Sequence, residues 1–167
     1  MEKYVLTGGP CCGKTSVIEE LKRRGHVVLE EVAREVIKDG FVDPEKKQLE
    51  IYRRQLEREK EFENREGVLF LDRSAVDGIA YSLIDTGRLP GNLTMNGFKK
   101  DYKQIFFLER FPFANDGLRL EDNEYEAERL HQQLYHTYLA LDYAISFVSK
   151  MSVKERADFI LDKIKKH

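Results

Sequence analysis

The sequence predicts an α/β fold of three layers built on a five-stranded parallel sheet. Three observations carry that prediction. Five short apolar runs recur along the chain, helical periodicity fills the stretches between them, and the first run breaks into a glycine-rich turn that opens a helix.

Lys3 to Thr7 is the first run, apolar enough to be buried on both faces as a parallel strand is. After the turn, Val17, Ile18 and Leu21 make one apolar helix face, and Gly25 ends that helix. Val27 to Leu29 is the second strand. Glu31 to Lys38 reads as helical and closes at Gly40. Residues 45 to 65 form a charge-dense helix whose thin stripe is Leu49, Tyr52 and Leu56. A solvated helix is the simplest reading there, because the stripe covers under three heptads and is too short for a coiled coil. Val68 to Leu71 is the third strand and ends in Asp72. Ser74 to Thr86 follows as a helix, with Ser74 expected as N-cap and Gly87 as terminator. Ile105 to Leu108 is the fourth strand. Residues 122 to 141 are helical, with Leu130, Leu134, Tyr138 and Leu141 at helix spacing. Ala144 to Val148 is the fifth strand, and 152 to 165 the last helix, with Ser152 and Glu155 placed as a capping box.

The 167 residues suit one domain spanning 1–167. Charged residues reach 35%, yet 28 basic side chains nearly balance 30 acidic ones and the net charge is −2. So balanced a chain has no global field to draw it onto nucleic acid or an anionic membrane. No apolar stretch is long enough to span a bilayer. The two cysteines, Cys11 and Cys12, are adjacent, which disulfide geometry disfavours, and no third is present to pair with either. A reducing, cytoplasmic setting is the expectation.

Gly8-Gly9-Pro10-Cys11-Cys12-Gly13-Lys14-Thr15 satisfies G-x-x-x-x-G-K-[ST] at every required position. Glycines let the backbone curl into an anion nest, and the following helix adds the positive end of its dipole. Lys14 is the candidate bridge between β- and γ-phosphates, the Thr15 hydroxyl a candidate Mg²⁺ ligand, and Ser16 completes the binding segment. A chance match is expected on the order of once per hundred such chains. The strand before the motif and the helix after it argue against chance. Cys11 and Cys12 sit where the backbone does the binding, so redox sensing by their thiols is the lesser reading.

In open α/β sheets ligands bind beyond the carboxyl ends of the strands. Asp72 stands at such an end, where a carboxylate holds Mg²⁺ or its water shell. Hydrolytic motors place a second acid next; here Arg73 follows, which suits a substrate phosphate or a transferring phosphoryl group. The alternative is a helix-terminal acid paired with its neighbour. Glu31, after the second strand, is a candidate base toward an acceptor hydroxyl; with Arg34 three residues on, it fits a plain helix salt bridge equally well. The segment 109–121, with Arg110, Arg119 and the turn Asn115-Asp116-Gly117, is either an arginine-bearing lid over a triphosphate or an ordinary exposed loop. The four histidines form no metal constellation and read as surface or satisfied residues.

Taken together, the chain resembles a P-loop family termed the AAA-type ATPase domain. Its relatives include the nicotinamide riboside kinase domain of bacterial NAD regulators and, further off, deoxynucleoside and nucleoside monophosphate kinases. The resemblance rests on Gly8 to Thr15, on Glu31-Val32-Ala33-Arg34, on Leu71-Asp72-Arg73-Ser74 with Asp77, and on Asp116-Gly117-Leu118-Arg119. The tail Ser152-Val153-Lys154-Glu155-Arg156 is similar too. It implies a kinase-like sheet of order 2-3-1-4-5, Mg²⁺, and ATP or GTP as cosubstrate. By the same resemblance Glu31 is a base or metal-shell acid, Asp72 and Arg73 face the metal and the acceptor, and Arg110 and Arg119 are lid residues. Hexameric motors of the wider group carry paired acids after the third strand, which this chain lacks.

The leading expectation is a Mg²⁺-dependent small-molecule kinase that passes the γ-phosphoryl group to a nucleoside- or nucleotide-like acceptor. Its alternatives are a nucleotide-dependent switch, weakened by the lack of an [NT]-K-x-D guanine-reading motif, and a simple NTP hydrolase, weakened by the lack of a second acid after Asp72.

Overall fold

In a computed structural model the residues described are 1–91, 93–98, 100–113 and 123–165. Five strands, β1 (Glu2–Thr7), β2 (Val27–Leu29), β3 (Val68–Asp72), β4 (Tyr102–Leu108) and β5 (Ile145–Val148), form one sheet. All neighbouring pairs are parallel, in the order β2-β3-β1-β4-β5. The helices are α1 (Lys14–Arg23), α2 (Ala33–Lys38), α3 (Pro44–Lys60), α4 (Asp77–Thr86), α5 (Met95–Phe98), α6 (Glu124–Ala140) and α7 (Val153–Ile164).

Alternation along the strands sorts the core into two layers. Tyr4 and Leu6 of β1, Phe70 of β3, and Phe106 and Leu108 of β4 face α1 and α7, where Val17, Ile18, Leu21, Ala157 and Ile160 meet them. Val5, Leu69, Leu71 and Ile105 point the other way, onto Val76 and Ile79 beside α4 and Tyr138 of α6. The period-two pleat thus feeds both faces of a sheet buried on both sides.

Local signals govern several helix ends as expected. Ser152 accepts from the Glu155 amide while the Glu155 carboxylate accepts from the Ser152 amide, the reciprocal pair that caps α7. Gly87 ends α4 at φ 70°. Others differ. The α4 helix opens at Asp77 rather than Ser74, because Arg73 takes a left-handed φ of 68° and the chain must turn before it can coil. The second helix begins at Ala33 rather than Glu31, the third ends at Lys60, and α6 opens at Glu124 with Asn123 as its cap. The short α5 has no counterpart in the sequence reading. The buried stripe of α3 is Gln48, Gln55 and Glu59, which apolar periodicity does not reveal. Glu59 accepts from Tyr102 Oη at 3.0 Å, Lys3 Nζ at 2.9 Å and Gln55 Nε2 at 3.0 Å. Those bonds repay its burial.

The chain leaves β1 toward the β2 edge of the sheet and leaves β3 toward the β5 edge. A crevice therefore opens beyond the carboxyl ends of these two neighbours, the general position for a ligand in such sheets.

Candidate functional site

One wall of that crevice is the turn from Gly8 to Gly13. Gly8 has φ 146° and Gly13 φ 72°, and a Cβ on Gly8 would lie 2.8 Å from the Leu108 carbonyl oxygen. Cys11 also has a positive φ, 60°, uncommon for a residue with a side chain. Three successive carbonyls of the turn are held from behind. Arg110 Nε donates to the Pro10 oxygen at 3.0 Å, the Phe111 amide to Cys11 at 2.9 Å, and Arg156 Nη1 to Cys12. Gly9 donates its amide to His131 Nδ1 on α6 at 3.0 Å. In front, the first amides of α1 have no carbonyl one turn earlier to bond. Such a cluster of amides at a helix N-terminus is an anion site.

Lys14 and Asp72 meet across the crevice, Nζ to Oδ1 at 2.9 Å, with both side chains nearly buried. Asp72 Oδ1 accepts no aligned hydrogen bond among the described residues, so its only close partner is the ammonium. A buried carboxylate oxygen with free acceptor capacity, held against Lys14 one residue before Thr15, fits a hard cation such as Mg²⁺. Among the described residues no group of three or more His, Cys, Asp or Glu gathers to cage a metal. A Mg²⁺ ion here would take most of its ligands from phosphate and water, which is its habit.

Glu31, after β2, is brought to the same place. Its Oε1 accepts from Arg73 Nε at 2.7 Å and its Oε2 from Arg34 Nε at 2.9 Å. Arg34 Nη2 also donates to Thr15 Oγ1 at 3.2 Å. Burial alone pushes the Glu31 carboxyl up, but the charges of Arg73, Lys14 and Arg34 together outweigh it and hold the pKa at about 2. Glu31 is therefore ionised throughout the ordinary pH range. The salt bridge of Glu31 with Arg34 expected from their spacing is present, and it is Arg34 that reaches the Thr15 hydroxyl.

Arg73 is fixed from its far side by Asp77, the first residue of α4. Asp77 Oδ1 accepts from Arg73 Nη1 at 3.3 Å and from Thr7 Oγ1 at 2.6 Å. Its Oδ2 accepts from the Ser74 amide at 2.9 Å and from Tyr138 Oη at 2.5 Å. Tyr81 covers the guanidinium, its ring centre 5.3 Å away. Sequence reasoning named Asp77 without a role, because Thr7 and Tyr138 lie 70 and 61 residues away from it.

Arg110 is not a free arm. It is buried, and Nη1 is bound to Glu124 Oε1 at 2.7 Å and Glu128 Oε2 at 2.9 Å while Nε holds the turn. It ties α6 to the phosphate loop, a strut rather than the lid residue expected from the sequence. Arg119, the Asn115-Asp116-Gly117 turn and most of the 109–121 segment lie outside the described residues. Arg34, Arg156 and His131 touch the loop without having been singled out for it. Only Arg34 had a local signal, its spacing from Glu31.

Comparison with known proteins agrees with this architecture. A family model described as an AAA domain matches residues 3–156. No protein of curated function matches the chain. The deoxyadenosine kinase from M. mycoides with bound dATP superposes with a TM-score of 0.70 at 16% identity, covering 99% of this chain and 100% of that one. The NadR protein in complex with NR does so at 0.70 and 17%, covering 99% of this chain and 51% of that one, so this chain spans about half of NadR. Thymidylate kinase from Candida albicans follows at 0.62 and 15%, with 99% and 91% covered. At such identities the likeness is one of fold: the five-stranded parallel sheet of the P-loop kinases, with helices on both sides.

Proposed function

This chain belongs to the AAA domain family, and from that premise we propose that it is a phosphotransferase, moving the γ-phosphoryl group of ATP or GTP to a nucleoside- or nucleotide-like acceptor. The observation that carries the reading is the pairing of Lys14 with Asp72 beside the pairing of Glu31 with Arg73, all at the carboxyl ends of β1, β2 and β3. The solved structures of similar fold include a deoxyadenosine kinase and a thymidylate kinase, which supports that acceptor class.

The residues divide the work as follows. Backbone amides of the Gly8–Thr15 segment, apart from Gly9, whose amide donates to His131, and Pro10, which has none, receive the β- and γ-phosphates with Ser16 at the rim, and Lys14 exchanges its contact with Asp72 for them. Thr15 and Asp72 would hold Mg²⁺, which when bound would supply positive charge against the phosphate oxygens. An acceptor oxygen attacks the γ-phosphorus, the bond from that phosphorus to the β,γ-bridging oxygen breaks, and the diphosphate leaves. When the acceptor is a hydroxyl, its proton passes to the Glu31 carboxylate or to water. At a pKa of about 2 Glu31 is a weak base. A loose transition state asks little of a base, so orientation is its larger contribution. Arg73, immobilised by Asp77 and Tyr81, offers a fork to an acceptor phosphate or to the transferring group. No carboxylate follows Asp72 to polarise water, which favours transfer over hydrolysis.

The test is a mass-spectrometric screen of the purified protein with Mg-ATP or Mg-GTP against nucleosides, nucleotides and vitamin ribosides. A product heavier by one phosphoryl group, lost in Lys14→Ala, is the expected result. Slow release of inorganic phosphate with no acceptor product would refute the transferase reading and favour the nucleotide-dependent switch.

A further inference from the structure

Three arginines lie about the phosphate loop, Arg110 and Arg156 buried and Arg73 partly so, and one differs from the others. Arg73 is neutralised by Glu31 and Asp77, and Arg110 by Glu124 and Glu128. Arg156, near the start of α7, is 1% exposed and has no carboxylate partner among the described residues. Its guanidinium is instead spread over three carbonyls. Nε donates to Ser149 at 2.9 Å just past β5, Nη2 to Glu109 at 3.2 Å just past β4, and Nη1 to Cys12 in the loop. The Phe111 ring lies over it at 4.9 Å. Among the described residues the carboxylate whose charge reaches Arg156 is Glu109, which touches it through its backbone oxygen and acts through its side chain only at a distance.

Carbonyl dipoles satisfy the hydrogen-bonding capacity of a buried cation but leave its net charge standing, and a buried charge without a counter-charge is costly. An arginine cannot escape by losing its proton. The charge stands directly behind the loop: a Cβ on Gly13 would lie 3.5 Å from Arg156 Nη1. The first amides of α1, which have no carbonyl one turn earlier to bond, follow directly after Gly13.

We infer that Arg156 is a positioning residue for the triphosphate, holding the Cys12 carbonyl back and setting behind the loop a positive charge whose counter-charge is the nucleotide itself. The inference rests on the phosphate-loop reading but not on phosphoryl transfer. It accounts for a guanidinium with no carboxylate partner among the described residues, placed against the proposed phosphate loop.

The test is calorimetric titration of the full chain with ATP and with AMP, without acceptor, for wild type, Arg156→Lys, Arg156→Gln and Glu109→Gln. Lysine keeps the charge but cannot span three carbonyls; glutamine keeps a donor but loses the charge. The expected result is that Arg156→Gln weakens ATP about tenfold or more and AMP far less, while Arg156→Lys stays within about threefold of wild type. Glu109→Gln, which keeps the backbone oxygen and removes the nearby negative charge, is expected to tighten ATP by about threefold. Equal losses in the lysine and glutamine variants would make Arg156 a purely structural strut. Unchanged or weaker ATP binding in Glu109→Gln overturns the charge argument even if Arg156→Gln does not fold. A wild type that binds no triphosphate defeats the phosphate-loop reading and this inference together. Intact binding and an intact lysine–glutamine difference without transfer to any acceptor defeats the kinase reading alone.

Discussion

Gly9→Ala is the most revealing single substitution in the phosphate loop. Gly9 does not need a left-handed backbone; it is required by the close approach of α6. An added Cβ would stand 2.8 Å from His131 Cβ, 3.1 Å from His131 Cα and 3.2 Å from the Ala127 carbonyl oxygen. Carbon atoms rest about 3.5–4.0 Å apart, so α6 would have to withdraw by roughly 1 Å. Overpacking of this kind costs about 1–3 kcal/mol. The withdrawal also strains or breaks the bond from the Gly9 amide to His131 Nδ1, which adds about 1 kcal/mol. The total is roughly 2–4 kcal/mol, and in a chain of this size that lowers Tm by roughly 5–15 °C. Thermal unfolding followed by circular dichroism at pH 7.5 reads it directly. Pairing the change with His131→Gly removes the closest of the three clashing atoms, His131 Cβ, so the double variant should be less destabilised than the two single losses added together, by about 1 kcal/mol. A Gly9→Ala protein melting within about 1 °C of wild type, or strict additivity in the cycle, refutes the argument that α6 is seated against the loop.

Other outcomes follow from the same contacts. The Glu31 carboxyl, with a folded pKa of about 2 against an unfolded value near 4.5, contributes stability that is fully present above the unfolded value and is lost as pH falls through the folded one. That contribution is about 3 kcal/mol, and Glu31→Gln should flatten the acid limb of stability between pH 5 and 2.5; identical limbs in the two proteins would contradict it. Burial, aided by Arg110, lowers the His131 pKa against the opposing charges of Glu128 and Glu109. Its Nδ1 accepts from Gly9 only when unprotonated, so stability should fall as pH drops from above the unfolded histidine value through the folded one. Denaturant titrations at pH 7.5 and 5.5 should show that fall in wild type and a smaller one in His131→Gln. Tyr138→Phe removes a donor from the buried Asp77 carboxylate and an acceptor from Ser74. The expected cost is about 1–3 kcal/mol in chemical denaturation, and a loss under about 0.5 kcal/mol would show that Asp77 is satisfied without it.

The sequence alone determined the elements whose causes are local. Five apolar runs of strand length, the Gly8–Thr15 turn, the Ser152–Glu155 capping box and the Gly87 terminator are each set by steric or hydrogen-bonding rules acting over a few residues, and each is found where those rules put it. The phosphate-loop residues were legible for the same reason, since they are contiguous. Helix starts near Arg73 were misjudged because a left-handed turn at a residue other than glycine leaves little trace in composition. Tertiary structure alone decided what the charged and polar side chains with distant partners meet. Arg110 turns inward to Glu124 and Glu128, Asp77 gathers Thr7 and Tyr138, α3 buries Gln48, Gln55 and Glu59, and Arg156 reaches Cys12 across 144 residues of chain. An arginine has the same local preferences whether its partner is a neighbour, a distant carbonyl or water. Its partner is set by which strand ends the parallel sheet brings side by side, and that order is a property of the packed layers rather than of any short stretch of chain.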